Sequence, residues 1–96
     1  MPAVTRKDDA DVSHCSGMVR DKHSPNVYVN GKFVSRQGDD NTSHKFPPEP
    51  CENHTAPITT GSTTVFCNGV GIGRVGDAIT GCTSVAEGSP NVFAGG

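Results

Sequence analysis

Four histidines and four cysteines stand out in a chain of 96 residues as the side chains best suited to chemistry. They are His14, His23, His44 and His54, and Cys15, Cys51, Cys67 and Cys82. Imidazole nitrogens and thiolate sulfurs are the preferred ligands of zinc. Three of these residues close the same motif, Arg-x-x-Asp-x-x-x-x-ligand. It occurs as Arg6, Asp9, His14; as Arg36, Asp39, His44; and as Arg74, Asp77, Cys82. Residues at one position of a three-fold repeated unit must lie near a common axis. A structural zinc takes four ligands, and His54 is the candidate fourth. The expected site is therefore His14, His44, His54 and Cys82, with Cys15 and Cys51 as rivals for a place in the shell. Spacings of 30, 10 and 28 residues match no local zinc-finger pattern, so equivalence within the repeat carries the assignment.

The repeat supplies the elements that must position these ligands. Ser24-Pro25-Asn26-Val27-Tyr28-Val29-Asn30-Gly31 aligns at an offset of 38 with Ser62-Thr63-Thr64-Val65-Phe66-Cys67-Asn68-Gly69, and the match runs without a gap to His44 opposite Cys82. The second half of the unit recurs at the N-terminus at an offset of 30, where Arg6, Asp9, Ser13 and His14 fall on Arg36, Asp39, Ser43 and His44. The first half recurs at the C-terminus as Gly88-Ser89-Pro90-Asn91-Val92-Phe93. One domain over 1–96 is expected, with units at 24–44 and 62–82, a split unit of 2–14 plus 88–94, and the two termini close together. Each unit opens as a β-hairpin: Asn30-Gly31 and Asn68-Gly69 suit a type I′ turn, which needs positive φ at both central residues. The insert 45–57 holds four of the seven prolines and is expected to be a loop.

Composition agrees with a small turn-rich β-domain. Gly and Pro account for 19 of 96 residues, apolar residues for 32%, and Trp is absent. So few apolar residues make a small core, which a metal, disulfides or oligomerisation usually supplements. Neither a membrane-spanning run nor an apolar leader is visible. A net charge of −2 without a basic cluster disfavours nucleic acid as a partner. The four cysteines could instead form two disulfides, but without a leader an oxidising compartment is not expected.

The remaining motifs have simpler explanations. Cys67 aligns with Val29 inside a strand and is expected to be a small buried hydrophobe. His23 aligns with Gly61 and Gly88 and is expected in a loop, not among the ligands. The recurrent Arg and Asp are expected to be structural, with Asp accepting backbone N–H groups in a turn and Arg pairing with it. Gly71-Ile72-Gly73-Arg74-Val75-Gly76 matches G-x-G-x-x-G, but no helix is expected after it and a phosphate loop is not inferred. A small zinc hydrolase or a generic metal-binding or redox module is the alternative function. A closed four-ligand site would leave no open position for such catalysis.

The repeated hairpin, the segment Val70-Gly71-Ile72-Gly73-Arg74-Val75-Gly76-Asp77 and the closing Ser89-Pro90-Asn91-Val92-Phe93 resemble the PAAR-repeat proteins. The resemblance spans nearly the whole chain outside the insert. The Pro-Ala-Ala-Arg signature itself is replaced by Ala3-Val4-Thr5-Arg6, Phe33-Val34-Ser35-Arg36 and Gly71-Ile72-Gly73-Arg74. The resemblance implies an all-β, cone-shaped, pseudo-three-fold domain of short hairpins with one structural Zn2+ held by three His and one Cys. It also implies a non-enzymatic tip that caps the trimeric β-helical spike of a contractile phage tail or type VI secretion system, with one chain per trimer. Such a tip meets a target membrane transiently as the spike is driven through it. The repeats fill the chain, so an attached effector domain is not expected, and synthesis in the bacterial cytoplasm follows.

Overall fold

Asn-Gly dipeptides set the first level of structure. In the computed structural model, Asn30 and Gly31 have φ of 55° and 77°, and Asn68 and Gly69 have φ of 54° and 81°. These are the left-handed pairs that a type I′ hairpin requires. The structure describes residues 1–13, 17–46 and 52–96, so the expected ligand His14 and its rivals Cys15 and Cys51 lie outside the described residues. The first turn joins β1 (Tyr28–Val29) to β2 (Lys32–Phe33), and the second joins β5 (Phe66–Cys67) to β6 (Val70–Gly71). Between them, β3 (His44–Phe46) pairs with β4 (Glu52–His54). After them, β7 (Ala78–Ile79) pairs with β8 (Thr83–Ser84). All four pairs are antiparallel, and no helix occurs among the described residues.

A further hairpin-like pairing is assembled from the two ends of the chain. Val4 N–H donates to Val92 O at 3.0 Å, the counterpart of Val34 to Val27 and Ile72 to Val65, each also 3.0 Å. Ala3 bridges Phe93, and Ala94 N–H donates to Pro2 O. The expected proximity of the termini is thus realised as β-pairing.

Three backbone hydrogen bonds close into a ring. Ser35 N–H donates to Thr5 O at 3.1 Å, Gly73 N–H to Ser35 O at 3.0 Å, and Thr5 N–H to Gly73 O at 3.0 Å. These positions align across the repeat, so the ring marks a pseudo-three-fold axis. A Cβ on Gly73 would lie 2.6 Å from Ser35 O and 2.9 Å from Ile58 Cδ1. Glycine is required there by space, which accounts for the middle glycine of the G-x-G-x-x-G match.

Two small apolar clusters flank this ring. Val4, Val34, Cys67, Ile72 and Ala94 form one, with Val27 and Val29 packed on it; Cys67 is therefore the buried hydrophobe its alignment predicts. Ala56, Ile58, Ile79 and Val85 form the other, and Cys82 packs against it. The molecule measures 38 × 23 × 22 Å along its principal axes.

The insert differs from its expected loop character. Its flanks are strands, with His44 opposite His54, Lys45 opposite Asn53 and Phe46 opposite Glu52. Neither His44–Phe46 nor Glu52–His54 contains a proline, so the ladder between them loses no backbone donor to one.

Candidate metal centre

Each stretch leading toward an expected ligand is fixed by an Arg–Asp turn. Asp9, Asp39 and Asp77 donate their backbone N–H to the carbonyls of Arg6, Arg36 and Arg74 at 3.0, 2.9 and 3.0 Å. The residue before each Asp has positive φ: Asp8 at 74°, Gly38 at 91° and Gly76 at 89°. Each carboxylate accepts its Arg backbone N–H at 2.7–2.8 Å and the same guanidinium through two nitrogens at 2.9–3.3 Å. The three charge pairs are geometrically alike, as expected of structural groups in turns. The bond to Asp9 raises the Arg6 pKa, and the bond to Asp39 raises that of Arg36, each against the opposing effect of burial.

The remaining guanidinium nitrogens pass across to the next hairpin. Arg6 Nη1 donates to Asn30 Oδ1, Arg36 Nη1 to Asn68 Oδ1 and Arg74 Nη1 to Gly95 O, at 3.0–3.2 Å. The hydroxyls of Ser89, Ser24 and Ser62 donate to those same three acceptors at 2.5–2.6 Å. These hydroxyls also accept the N–H groups two and three residues on, an ST-turn that shapes the hairpin entry.

Beyond these turns, His44, His54 and Cys82 converge, with one ligand atom from each lying within 4.8 Å of the others. Cys82 Sγ is 3.2 Å from His44 Nε2 and 3.5 Å from His54 Nε2. Tetrahedral zinc with ordinary Zn–S and Zn–N bonds sets sulfur and nitrogen about 3.5 Å apart. The donors are therefore already spaced for a metal of that size and geometry. Direct pairing of His44 with His54 across β3 and β4 stacks their rings edge to face, with centroids 4.2 Å apart. Cys82 sits in the β7–β8 turn, where its N–H donates to Ile79 O. His44 is buried, 2% exposed, and its Nδ1 donates to Thr42 O at 2.8 Å. That bond leaves Nε2 as the lone-pair donor facing the sulfur, the arrangement usual for a ligating His.

Polar groups are buried behind the sulfur. Asn41 Nδ2 donates to Asp11 Oδ2 at 3.1 Å, and Asn41 Oδ1 accepts Ala56 N–H at 3.0 Å. Arg20 Nε lies 3.4 Å from Asp11 Oδ1, with both side chains fully enclosed. Burial pushes the Cys82 thiol up, a hydrogen bond from Asn41 draws it down, Asp11 raises it and Arg20 lowers it. Burial likewise raises the Asp11 carboxyl, opposed by Arg20, Asn41 and His44. Burial lowers the Arg20 pKa, opposed by Asp11 first among several anions.

Three of the four expected ligands thus come together among the described residues. His23 lies in a loop as expected and stacks on Phe33, with centroids 4.4 Å apart. The buried trio Asp11, Asn41 and Arg20 was not singled out from the sequence. Its signal lay in the alignment, where Asp11 and Asn41 match Ile79, and Arg20 occupies the pairing position taken by Ile58 and Val85.

Short hairpins about a pseudo-three-fold axis, with a His/His/Cys group able to hold a metal ion, define a small all-β metal-site domain. The PAAR motif model matches residues 48–96, just over half of the chain, and includes both His54 and Cys82. The chain belongs to the PAAR motif family. Comparison with curated proteins gives no match.

Proposed function

We propose that this chain is a non-enzymatic tip protein that caps the trimeric β-helical spike of a contractile injection machine. Family membership supports a spike-tip role in such systems in general. The observation that carries the finer reading is the end formed by the hairpins. Tyr28, Phe66 and Phe93 align across the repeat, and each is exposed, at 57%, 62% and 50%. Exposed aromatics are the usual anchors of an interface. Three of them, one per hairpin and related by a pseudo-three-fold axis, suit a partner with true three-fold symmetry, each meeting one identical chain. Val65, Val70 and Val92 add exposed apolar surface to the same hairpin segments.

At the other cluster, His44, His54 and Cys82 are assigned to a single Zn2+, with His14 as the fourth ligand. One thiolate with imidazoles favours zinc over the harder cations. The ion supplies a covalent-like cross-link between chain segments too short to bury enough apolar surface alone. His44 is held by Thr42, His54 by its pairing with His44, and Cys82 by its turn. A rigid metal end and an apolar hairpin end suit a tip that is pushed into a membrane while seated on a spike. The spike belongs to a phage tail or a type VI secretion apparatus.

Native mass spectrometry of the chain mixed with its spike trimer tests this reading. One chain per trimer is expected, and replacing Tyr28, Phe66 and Phe93 together by Ser should abolish binding while leaving the metal bound. Three chains per trimer, or no association, would refute the cap.

A further inference from the structure

We propose that the three hairpins are unequal anchors, and that Tyr28, set in place by a ring stack on Phe33 and His23, carries most of the affinity for the three-fold partner. The inference rests on the cap reading above and names which part of the hairpin face the partner grips.

Tyr28, Phe66 and Phe93 share one position in the repeat, but their cross-strand neighbours differ. Tyr28 pairs with Phe33, Phe66 with Gly71 and Phe93 with Ala3. Of these pairs the first alone joins two rings, with centroids 4.4 Å apart and planes inclined at 33°. Phe33 in turn stacks on His23, with centroids 4.4 Å apart and planes inclined at 16°. His23 is fixed through its ring and its backbone: Nδ1 donates to Ser24 O at 2.7 Å, and the His23 carbonyl accepts Arg36 Nη2 at 3.2 Å. Gly61 and Gly88 align with His23, and neither leaves room for a ring. A Cβ on Gly61 would lie 3.2 Å from Gly71 O, and one on Gly88 would lie 2.7 Å from Val4 O. A Cβ on Gly71, the counterpart of Phe33, would lie 2.5 Å from Ser62 O. The stack therefore belongs to one hairpin of the three.

Tyr28 is held by a ring on one face and still presents 57% of its surface to the outside. An aromatic fixed before encounter loses less freedom on binding. Immobilising one free side chain at an interface typically weakens affinity by about 2- to 10-fold. Phe66 and Phe93 lie opposite a glycine and an alanine and incur that loss. The mixture of rings also sets the chemistry of the partner. Three identical chains present one kind of site, and that site receives a tyrosine once and a phenylalanine twice. A site built around the hydroxyl would leave its own polar group unpaired against two of the three rings, which is strongly unfavourable. The partner surface that fits is one apolar groove per chain, open to water where the Tyr28 hydroxyl emerges.

The test uses the full chain and the recombinant spike trimer of the same contractile system, with Kd read by titration calorimetry. Tyr28→Ala should weaken binding by about 30-fold or more, the level of an interface hot spot, and Phe66→Ala and Phe93→Ala by less than about tenfold each. Tyr28→Phe should stay within about threefold of wild type, because the groove leaves the hydroxyl wet. Phe33→Ala installs the residue that the chain-end hairpin carries at Ala3, so the fold accommodates it. It should weaken binding by about 2- to 10-fold, and should add little once Tyr28 is already alanine. Tyr28 is the single tyrosine of the chain, so 3-fluorotyrosine labelling gives one 19F resonance from this ring. Phe33→Ala should move that resonance toward its unstacked position in the free protein, and the spike trimer should shift it in wild type. Phe66→Ala or Phe93→Ala as costly as Tyr28→Ala, or an unchanged Kd for Phe33→Ala, overturns the unequal anchors and leaves the cap in place. A loss of more than about tenfold for Tyr28→Phe overturns the water-open groove. Wild-type chain that does not bind the trimer, with its 19F resonance unmoved, overturns the anchors and the cap together.

Discussion

Removal of the Asp77 carboxylate is the sharpest test of how the three turns hold the fold. Asp77 accepts three hydrogen bonds from Arg74: from the backbone N–H at 2.7 Å, from Nε at 3.3 Å and from Nη2 at 2.9 Å. The side chains of the pair are 10% and 5% exposed. Asp77→Ala leaves the Arg74 side chain with Gly95 O as its remaining hydrogen-bond acceptor among the described residues. Breaking a buried pair from one side costs about 3–5 kcal/mol, because the partner charge stays enclosed and uncompensated. Asp39→Ala provides the internal comparison. Arg36 is 20% exposed and keeps both Asn68 Oδ1 and His23 O as acceptors. Water reaches this pair more readily, so its loss should cost about 2 kcal/mol. In a domain of this size about 1 kcal/mol corresponds to about 4–8 °C in Tm. Asp77→Ala should therefore melt more than about 10 °C below wild type, and Asp39→Ala should fall between them. Urea unfolding followed by circular dichroism, run with saturating Zn2+ and again with chelator, separates this effect from metal linkage. The reasoning fails if Asp77→Ala costs less than about 1 kcal/mol, or if Asp39→Ala costs as much as Asp77→Ala.

Three further outcomes are expected. Gly73→Ala should destabilise by about 3 kcal/mol in urea unfolding, because its Cβ would meet the Ser35 carbonyl oxygen at 2.6 Å on the axis; full wild-type stability would contradict the ring closure. Asp8→Gly should stabilise by about 0.5–1 kcal/mol, since Asp8 holds φ of 74° where the other turns use Gly38 and Gly76. The exposed Lys7–Asp8 pair lost in that change contributes little. Burial raises the Cys82 pKa above its ordinary value, so the metal-free fold holds a neutral thiol at pH 7. Stability of the metal-free protein should then fall as pH rises through that raised value, while metal affinity rises about tenfold per pH unit between pH 7 and that point. Titration calorimetry in buffers of different ionisation enthalpy should count about one proton released from Cys82 per ion bound.

Much of the architecture was legible because turn chemistry is local. Asn30-Gly31 and Asn68-Gly69 name their own turn type, and Gly38 and Gly76 before Asp39 and Asp77 announce a positive φ. The grouping of His44 with Cys82 followed from alignment of the repeat, which reports position about an axis without any knowledge of contacts. The strands on either side of the insert prolines were not legible. Glu52-Asn53-His54 has no β-branched residue and no Phe, Tyr or Trp, and its pairing with His44–Phe46 is a long-range choice that propensity does not record. Nor was Arg20 legible, because a charged residue in a polar stretch is ordinarily solvated. Only its register opposite Asn41, the result of pairing between distant segments, carries it inside.

The pattern of kept and broken symmetry separates the two ends of the molecule. Where the hairpins face outward, Tyr28, Phe66 and Phe93 preserve a large aromatic at each equivalent position, and Arg6, Arg36 and Arg74 each reach the next hairpin in turn. A three-fold partner would demand this equivalence, because identical chains can be met alike only by like surfaces. A single tetrahedral ion makes the opposite demand. On the proposed assignment three equivalent positions would supply three ligands, and a fourth would come from outside the symmetry. The insert after His44 does this by folding β4 back against β3 so that His54 stands opposite His44. A place must also be found for one sulfur among imidazoles, and here the buried positions diverge. Asp11 and Asn41 align with Ile79, and Arg20 takes the place of Ile58 and Val85, so the polar groups gather behind Cys82 while the apolar ones pack beside it. Symmetry is retained in proportion to what the proposed partner requires, and it is lost where the proposed ion requires something else.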